Sequence, residues 1–287
     1  MDAIVRVEGI TKHYKEFSLD HVSFQIPRGM ILGLIGENGA GKSTTISALL
    51  DLISLDEGNI EIFGQSHEKT ARKAKERMGV IIDGLDPYLM YYPKDVEKIM
   101  SRMFPGRWDG ELFKRYMDRF NLPGEKRIKD YSKGMRVKFN FAAALSHRPE
   151  LMILDEATSG LDPVMRDEIL EILQEFLEDE NHAVLMSTHI TSDLDKIADH
   201  IVLLHEGRVM FQKTKEELDL NYGVLHCGKE TFEALNEEDV EAYIRGDYEY
   251  RVLVNNRREL QEHIRDLAID RASIEDIMLF YIKGERI

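Results

Sequence analysis

The chain is 287 residues long, which corresponds to one large domain or two smaller ones. Hydrophobic residues make up 43% and charged residues 32% of it, a balance typical of folded globular proteins that excludes a disordered or collagen-like chain. The net charge of −15 repels a phosphate backbone and disfavours general nucleic-acid binding. The single cysteine, Cys227, cannot form an internal disulfide; the first residues lack a signal-peptide pattern, and no apolar run approaches the roughly 18 residues of a membrane span. We therefore expect a cytoplasmic protein that reaches a membrane only through a partner.

The first 64 residues predict short strands that lead into a strand, a turn and a helix. Apolar patterning indicates strands at Ile4–Val7 and Val22–Ile26, and the buried run Ile31–Ile35 is followed by a glycine-rich turn. Apolar residues at helical spacing predict a helix over Ser43–Ile53, and a further short strand is predicted over Gly58–Gly64. The pattern is that of an antiparallel opening followed by a central strand.

The pattern from about 68 to 147 is mainly helical, interrupted by prolines and by a strand at Val80–Ile82. Beyond it strands and helices alternate, which predicts a parallel α/β architecture. The strands are predicted at 151–154, 183–186, 201–204 and 208–211, and the helices at 164–178 and 191–198. A separate small module is predicted beyond about residue 220, with strands at 222–227 and 248–254 and helices near 237–245, 257–268 and 274–282.

Residues 36–43, Gly-Glu-Asn-Gly-Ala-Gly-Lys-Ser, match the phosphate-binding loop G-x-x-x-x-G-K-[ST] and lie between a predicted strand and a predicted helix. The glycines let backbone N–H groups and the helix N-terminus point at phosphate oxygens. Lys42 is predicted to reach the β- and γ-phosphates and the Ser43 hydroxyl to bind Mg²⁺, so that ATP and Mg²⁺ are the expected cofactors. The residues expected to bind the nucleotide here are Gly36, Glu37, Asn38, Gly39, Ala40, Gly41, Lys42, Ser43 and Thr44.

Two adjacent carboxylates, Asp155 and Glu156, follow the apolar strand Leu151–Leu154, at the carboxyl end where open α/β sheets bind ligands. Asp155 is predicted to hold Mg²⁺ through water, and Glu156 to polarise the water that attacks the γ-phosphate. An apolar strand followed by acids is common, and by itself it would indicate only a solvated strand end. The phosphate loop upstream favours the catalytic interpretation.

Three further motifs accompany these two: Tyr131-Ser132-Lys133-Gly134-Met135, Ser159-Gly160-Leu161-Asp162-Pro163 and Ser187-Thr188-His189. With them the chain resembles the nucleotide-binding subunit of an ABC transporter over about residues 3–220. A single such domain without a membrane segment is similar to the bacterial ABC-2 type exporter ATPases, including those for antimicrobial peptides and drugs. The resemblance implies an α/β P-loop NTPase fold of ABC type over residues 1–220, with an antiparallel β subdomain, a helical subdomain at about 84–147 and a small C-terminal α/β accessory module at 221–287.

The resemblance also implies roles for residues outside the phosphate loop. Ser132 and Gly134 would face the γ-phosphate bound by a second protomer, so that two ATP molecules are sandwiched in a head-to-tail dimer with Asp162 near the shared interface. Ser132 is also placed to cap the helix that follows, and both roles can hold at once. His189 matches the switch histidine, which would contact the γ-phosphate and orient the attacking water. Tyr14 stands where the family has an aromatic that stacks on adenine; the alternative is an ordinary core or surface tyrosine.

Two motifs depart from the family pattern. The signature pentapeptide, usually Leu-Ser-Gly-Gly-Gln, differs at Tyr131, Lys133 and Met135. Where the family has a glutamine after a strand, this chain has Asp83, which as an acid can bind Mg²⁺ directly but cannot donate a hydrogen bond as an amide can. Alternatively Asp83 only starts a turn with Gly84, and the sequence leaves both interpretations open.

The sequence thus predicts an ATP-hydrolysing subunit that dimerises on ATP and drives export by a separate membrane permease, on the inner face of the cell membrane. Its partners would be the permease and a second ATPase protomer, identical or different, with no nucleic acid. Most aromatic residues between Tyr88 and Trp108 would belong to a core, but the resemblance implies that the groove beside this segment receives a cytoplasmic helix of the permease, which an aromatic lining would suit.

Two alternatives come from other functional classes. A soluble ABC protein that acts on ribosomes or DNA normally carries two nucleotide domains or a long coiled-coil insertion, and the acidic charge also disfavours it. A regulatory nucleotide-binding module without turnover is disfavoured by the presence of Glu156.

Overall fold

The computed structural model describes residues 2–66, 73–263 and 268–286. The N-terminal part forms an antiparallel four-stranded sheet in the order β2-β1-β4-β5. Its strands are β1 (Ala3–His13), β2 (Ser18–Pro27), β4 (Glu57–Ile62) and β5 (Gln65–Ser66). Residues of β1 and β2 that face the core are apolar and nearly alternate with exposed ones, as expected for a sheet with one buried face.

The central sheet has six strands in the order β10-β9-β3-β8-β7-β6. They are β3 (Ile31–Ile35), β6 (Met78–Ile82), β7 (Leu151–Asp155), β8 (Ala183–Ser187), β9 (His200–His205) and β10 (Arg208–Thr214). The five strands from β9 to β6 are parallel, and only the edge strand β10 runs antiparallel to its neighbour. Every residue of β3, β7 and β8 is buried, because helices or the first sheet cover both faces.

The described residues also form helices, most of which lie between the strands. They are α1 (Lys42–Leu49), α2 (Pro93–Met103), α3 (Gly110–Arg119), α4 (Lys133–Leu145), α5 (Pro163–Phe176), α6 (Thr191–Ile197), α7 (Lys215–Asn221), α8 (Lys229–Glu233), α9 (Arg257–His263) and α10 (Ile274–Lys283). Short 3₁₀ turns lie at Ile128–Asp130 and Glu237–Asp239. Residues 84–147 contain α2, α3 and α4 and no strand, in line with the helical pattern of their sequence.

Two apolar layers hold the central sheet in place. The first sheet and α1 cover one face, with Leu32, Leu34 and Ile153 in that layer. The helices cover the other face, where Phe139 of α4 is completely buried. The ring of Phe139 meets those of Phe113, Tyr88 and Tyr131 edge to face at centroid distances of 5.9–6.1 Å. These layers fix the carboxyl edge of the sheet, where the candidate site lies.

A third sheet, antiparallel in the order β12-β13-β11-β14, is formed by the C-terminal residues. Its strands are β11 (Gly223–Cys227), β12 (Val240–Arg245), β13 (Tyr250–Val254) and β14 (Ile269–Arg271). Helix α10 packs against α6, and its buried residues Ile277 and Phe280 belong to the same apolar cluster as Leu194 and Ile197 of α6. The C-terminal residues are therefore joined to the central sheet and its helices by a shared core.

One predicted element is wrong. The helix expected near 237–245 is a 3₁₀ turn followed by strand β12, which pairs with β13. Val240 and Ala242 are buried while Glu241 is partly exposed, so the period is two rather than 3.6. The helix predicted over 257–268 is seen over Arg257–His263; its residues 264–267, and residues 68–72 of the long helical region, lie outside the described part of the chain.

Candidate active site

The loop between β3 and α1 wraps tightly because of its glycines. Gly36 and Gly41 have φ angles of +151° and +108°, in the range that favours glycine. A Cβ at Gly36 would lie 2.3 Å from the carbonyl oxygen of Leu204, and one at Gly41 would lie 2.7 Å from Cδ2 of Leu19. Helix α1 starts without a side-chain cap, so its first N–H groups remain available for an anion.

The Lys42 side chain folds back into this loop. Its Nζ donates hydrogen bonds to the carbonyl oxygens of Gly36 at 2.7 Å and Glu37 at 3.1 Å. Burial lowers the pKa of Lys42 from its usual value, while the carboxylates of Glu156, Asp155 and Glu37 act in the opposite direction and favour the charged ammonium. The loop thus holds a buried cation where phosphate oxygens are expected.

A pocket of about 500 Å³ opens beside the loop. It is lined by Glu16, Phe17, Asn38, Gly39, Gly41, Lys42, Ser43, Thr44 and Glu156. Three residues of the motif do not line it. Ala40 is buried against Gly36, which itself approaches Leu204, and the Glu37 carboxylate lies 2.8 Å from Nδ1 of His205. The pocket therefore joins the phosphate loop to the carboxylate predicted to act as base.

Asp155 ends strand β7, and its register partner on β8 is Ser187. Both residues are buried, and Oδ1 of Asp155 and Oγ of Ser187 have no hydrogen-bond partner among the residues that the structure describes. Buried polar atoms of this kind are costly unless water or an ion completes them. A cluster of three or more side chains able to hold a metal is absent from residues 2–66, 73–263 and 268–286. This arrangement fits Mg²⁺, which is commonly bound by one or two protein oxygens together with phosphate and water.

Glu156 and His189 are in direct contact. Glu156 has a left-handed backbone with φ +54°, and its N–H donates to the carbonyl oxygen of Ser187 at 3.0 Å. Its Oε2 lies 2.5 Å from Nδ1 of His189 and accepts from the backbone N–H of His189 at 3.4 Å. The side chain of His189 is half exposed, whereas that of Glu156 is mostly covered. The structure thus brings Lys42, Asp155, Glu156 and His189 to one edge of the sheet.

Tyr14 is exposed and lies next to the pocket without lining it. Its ring stacks on that of Phe17 at a centroid distance of 6.4 Å, and its N–H donates to the carbonyl oxygen of Phe17 at 2.8 Å. Phe17 lines the pocket and lies close to Gly41. Sequence reasoning missed Phe17, although an aromatic three residues after Tyr14 in the turn before β2 was a visible signal.

The other predicted nucleotide contacts form a second group. The Ser132 hydroxyl caps α4 by accepting from the N–H of Met135 at 3.2 Å, and the Asp162 carboxylate caps α5 by accepting from the N–H of Met165 at 3.0 Å. Gly134 lies against Met165, whose Cε would be 2.2 Å from a Cβ at that position. The two helix N-termini therefore meet, but Ser132, Gly134 and Asp162 are not among the residues that line the phosphate-loop pocket.

Asp83 connects the two groups. Its backbone N–H donates to the carbonyl oxygen of Asp155 at 2.9 Å, so the segment follows the edge of the sheet. Its carboxylate lies 3.1 Å from Nζ of Lys133, in an ion pair that is partly open to solvent. The two departures from the family pattern, an acid for the glutamine and a lysine in the signature motif, are thus paired with each other.

Comparisons with known proteins agree with this geometry. Residues 19–159 match the ABC transporter family. The chain is 33% identical over 213 residues to the bacitracin transport ATP-binding protein BcrA of Bacillus licheniformis, covering 73% of this chain and 69% of that protein. It is 32% identical to the lantibiotic transport ATP-binding protein SrtF of Streptococcus pyogenes, covering 73% of this chain and 90% of that one.

A solved structure of an ATP-binding subunit of an ABC transporter superposes with a TM-score of 0.68 at 26% identity, over 75% of this chain and 91% of the other. The predicted fold class and family are thereby confirmed. In the three ranges that the structure describes, no helix combines the length and apolar character needed to cross a bilayer. The chain belongs to the ABC transporter family, as an ATP-binding and ATP-hydrolysing subunit.

Proposed function

We propose that the chain hydrolyses MgATP in a dimer of ATPase subunits and drives export through a separate membrane permease, held by it at the cytoplasmic face of the membrane. The observation that carries the chemistry is the buried Oδ1 of Asp155, which has no partner among the described residues and lies next to Glu156, a residue that lines the phosphate-loop pocket. The relatives named for bacitracin and lantibiotic transport support a cargo of that class, a peptide antimicrobial.

Each side chain at the pocket is assigned a separate role in binding or hydrolysing MgATP. Lys42 lies where it can neutralise the β- and γ-phosphates, and the Ser43 hydroxyl and Asp155 would hold Mg²⁺, which supplies electrostatic stabilisation of the charge that develops on the phosphates. Glu156 accepts the proton of the attacking water, in a position fixed by its backbone bond to Ser187. For this it must exchange its contact with His189 for water, and the released imidazole can then bind the γ-phosphate.

The second group of predicted contacts supports the dimer. Ser132 and Gly134 start α4, and Asp162 caps α5 next to it, yet these residues lie off the pocket of their own chain. A capped helix N-terminus favours an anion. In a head-to-tail dimer these N-termini would reach the γ-phosphate held by the partner protomer. Asp83 would join the site only after leaving Lys133, and we propose that its carboxylate then approaches the hydrated Mg²⁺.

The chemistry is assigned to residues 1–220, with 84–147 as the helical subdomain, and a supporting role to residues 221–287. Helix α10 supports this division because it packs on α6, the helix that follows His189, without contributing to the pocket. Tyr14 is proposed to stack on adenine together with Phe17, since its ring stacks on that of Phe17, which lines the pocket.

The test of the proposed chemistry is Glu156→Gln. The variant keeps the shape of the side chain and removes its basicity, so steady-state ATP turnover should fall about 10³-fold while ATP binding persists. ATP-bound dimer should accumulate in size-exclusion chromatography. Glu171→Gln, the same change at an exposed position of α5, is the matched control. Wild-type turnover by the Glu156→Gln protein would remove Glu156 from the mechanism.

An apolar groove of about 230 Å³ between the end of β6 and helix α2 suits the permease. Its methionine-rich wall includes Met100 and Met103, and Leu85 and Met103 are 56% and 58% exposed. Flexible methionines adapt to a partner helix that inserts an apolar side chain. Tyr88 also lines the groove and supports its wall. Its ring packs on Phe139, and its hydroxyl lies 3.6 Å from Sδ of Met100.

Replacing exposed residues of this groove tests docking of the permease without disturbing the fold. The double variant Leu85→Ser, Met103→Ser should co-purify poorly with the membrane subunit and export less cargo, with a melting temperature and ATP affinity close to wild type, because both side chains line the groove and are exposed. Tyr248→Ser, at an exposed tyrosine in the turn between β12 and β13, is the control. Normal co-purification and export by the double variant would show that the groove does not hold the permease.

A further inference from the structure

The segments that carry Glu156 and His189 meet a second time, behind the first contact. Thr158 Oγ1 donates a hydrogen bond of 3.0 Å to Oδ2 of Asp193. Thr158 follows Glu156 by two residues and Asp193 follows His189 by four, in the first turn of α6. Both residues are almost completely buried, whereas the outer contact between Glu156 and His189 is open to solvent. One pair of segments is therefore held by an outer and an inner contact.

The inner contact includes a counter-charge. Nη1 of Arg166, on α5, lies 3.6 Å from Oδ1 of Asp193. Burial raises the pKa of Asp193 from its usual value, and the Thr158 hydroxyl, Arg166 and Lys196 act in the opposite direction and favour the carboxylate. A buried acid with this set of neighbours joins three elements: the turn after β7, helix α5 and helix α6.

The outer contact cannot persist through hydrolysis if Glu156 and His189 have the proposed roles. Glu156 must then accept a proton from water, and His189 must turn towards phosphate. The inner contact faces neither event, because Thr158 and Asp193 do not line the phosphate-loop pocket. Once the outer contact has opened, the backbone bond from Glu156 to Ser187 still joins the strand ends, and the inner contact is the side-chain link that holds the turn beyond Glu156 to α6. A displacement of about 1 Å at a reacting group can cost on the order of 100-fold in rate.

We propose that Asp193 and Thr158 are positioning residues, which hold the backbone of Glu156 at a fixed distance from that of His189 while their side chains exchange partners. Arg166 extends this link to α5, the helix that Asp162 caps. Neither residue touches nucleotide. The inference rests on the proposed function, because it assigns Asp193 and Thr158 to the support of Glu156.

The first test is Thr158→Val, which removes the hydroxyl and keeps the volume. We expect kcat for ATP to fall about tenfold and KM to stay within twofold, because the phosphate loop is untouched. Thr158→Ser restores the hydroxyl and should recover most of kcat. Ser146→Ala, which removes a buried hydroxyl that donates to the carbonyl oxygen of Ala142 at the far end of α4, is the matched control with wild-type kcat.

The second test combines variants. In the Glu156→Gln protein, Thr158→Val should leave the residual turnover unchanged, because there is no longer a base to position. Asp193→Asn keeps an acceptor oxygen for Thr158 and should retain most of kcat, whereas Asp193→Leu should behave as Thr158→Val. These two variants carry the test if Thr158→Val does not fold.

The outcomes separate the inference from the proposed function. Wild-type turnover in Glu156→Gln would overturn the role of the base itself. An inactive Glu156→Gln protein together with wild-type kcat in Thr158→Val and Asp193→Leu would overturn only the positioning role. A loss that appears as raised KM, or that recurs at full size in the Glu156→Gln background, would also overturn it.

Discussion

The acid at the carboxyl edge of the central sheet and two acids near the C-terminal sheet differ in whether the protein supplies their partners. At the sheet edge, Asp155 and Ser187 keep buried oxygens without a partner among the described residues, and Glu156 has a left-handed backbone. Each feature lowers the stability of the empty protein. A bound nucleotide with its ion can supply partners for the two buried oxygens.

Near the C-terminal sheet, the hydroxyls of Tyr243 on β12 and Tyr281 on α10 pair with acids. The hydroxyl of Tyr243 donates to Glu285 and that of Tyr281 donates to Glu241, both at 2.7 Å. Burial is the largest cause that raises the pKa of Tyr281, so this hydroxyl stays protonated as a donor. Asp155 thus keeps an oxygen that a ligand can complete, whereas Glu285 and Glu241 are already paired within the protein.

The largest effect is expected at Asp155, where a substitution tests whether this acid serves a bound ion rather than the stability of the fold. Asp155→Asn should lower ATP turnover on the order of 100-fold, because the site loses a charge that stabilises phosphoryl transfer. Mn²⁺ binding in the presence of ATP, followed by electron paramagnetic resonance, should weaken. The melting temperature should not fall, since a buried charge has been removed. A clear drop in melting temperature with normal Mn²⁺ binding would make Asp155 a structural residue.

The converse result is expected at Phe280, the fully buried residue of α10. Phe280→Ala should lower the free energy of unfolding by about 3–5 kcal/mol and leave KM for ATP within twofold at a temperature where the variant is folded. Urea unfolding and ATPase assays measure the two quantities. Tyr248→Ser, in the turn between β12 and β13, should change neither, because its side chain is 97% exposed. Loss of ATP binding by folded Phe280→Ala would give α10 a direct role in the site.

A smaller effect tests a buried group away from both regions. Burial lowers the pKa of His147 to about 4, although Nε2 lies 3.0 Å from the carbonyl oxygen of Met78. Between that value and the usual one near 6.5, the unfolded chain binds a proton that the folded protein does not. The stabilisation that neutral His147 contributes is therefore complete above about pH 6.5. It decreases as the pH is lowered, by about 2 kcal/mol between pH 7 and pH 5.

His147→Gln should reduce that pH dependence, measured as the free energy of urea unfolding at the two pH values. The ring also stacks on Phe104 at 4.2 Å, so the variant is expected to be less stable at every pH. An unchanged slope with pH would mean that His147 is charged or solvated in the folded protein.

Contiguous motifs made much of the fold and site predictable. The phosphate loop and the strand that ends in Asp155 each combine their pattern and their chemistry within a few residues, so local reasoning reaches them. Strand β12 was missed because the acidic run before it favours a helix, while its alternation is short and its pairing with β13 is a tertiary contact.

Contacts between distant segments could not be predicted in the same way. Thr158 and Asp193 are 35 residues apart, and neither has a local pattern that indicates the other. The ion pair between Asp83 and Lys133 also could not be predicted from the sequence, although each residue departs from the family pattern. Such pairs depend on how the helices pack on the sheet, and the periodicity of the sequence does not specify this packing.

The position of β3 has a consequence for synthesis. This strand, which leads into the phosphate loop, lies between β8 and β9, and both neighbours are translated about 150 residues later. At about 5–20 residues per second, a ribosome leaves both edges of β3 unpaired for roughly ten to thirty seconds. Nascent chains that end before β8 therefore expose an apolar strand and lack the pairing that shapes the nucleotide loop, so they should depend on chaperones and be unable to retain ATP.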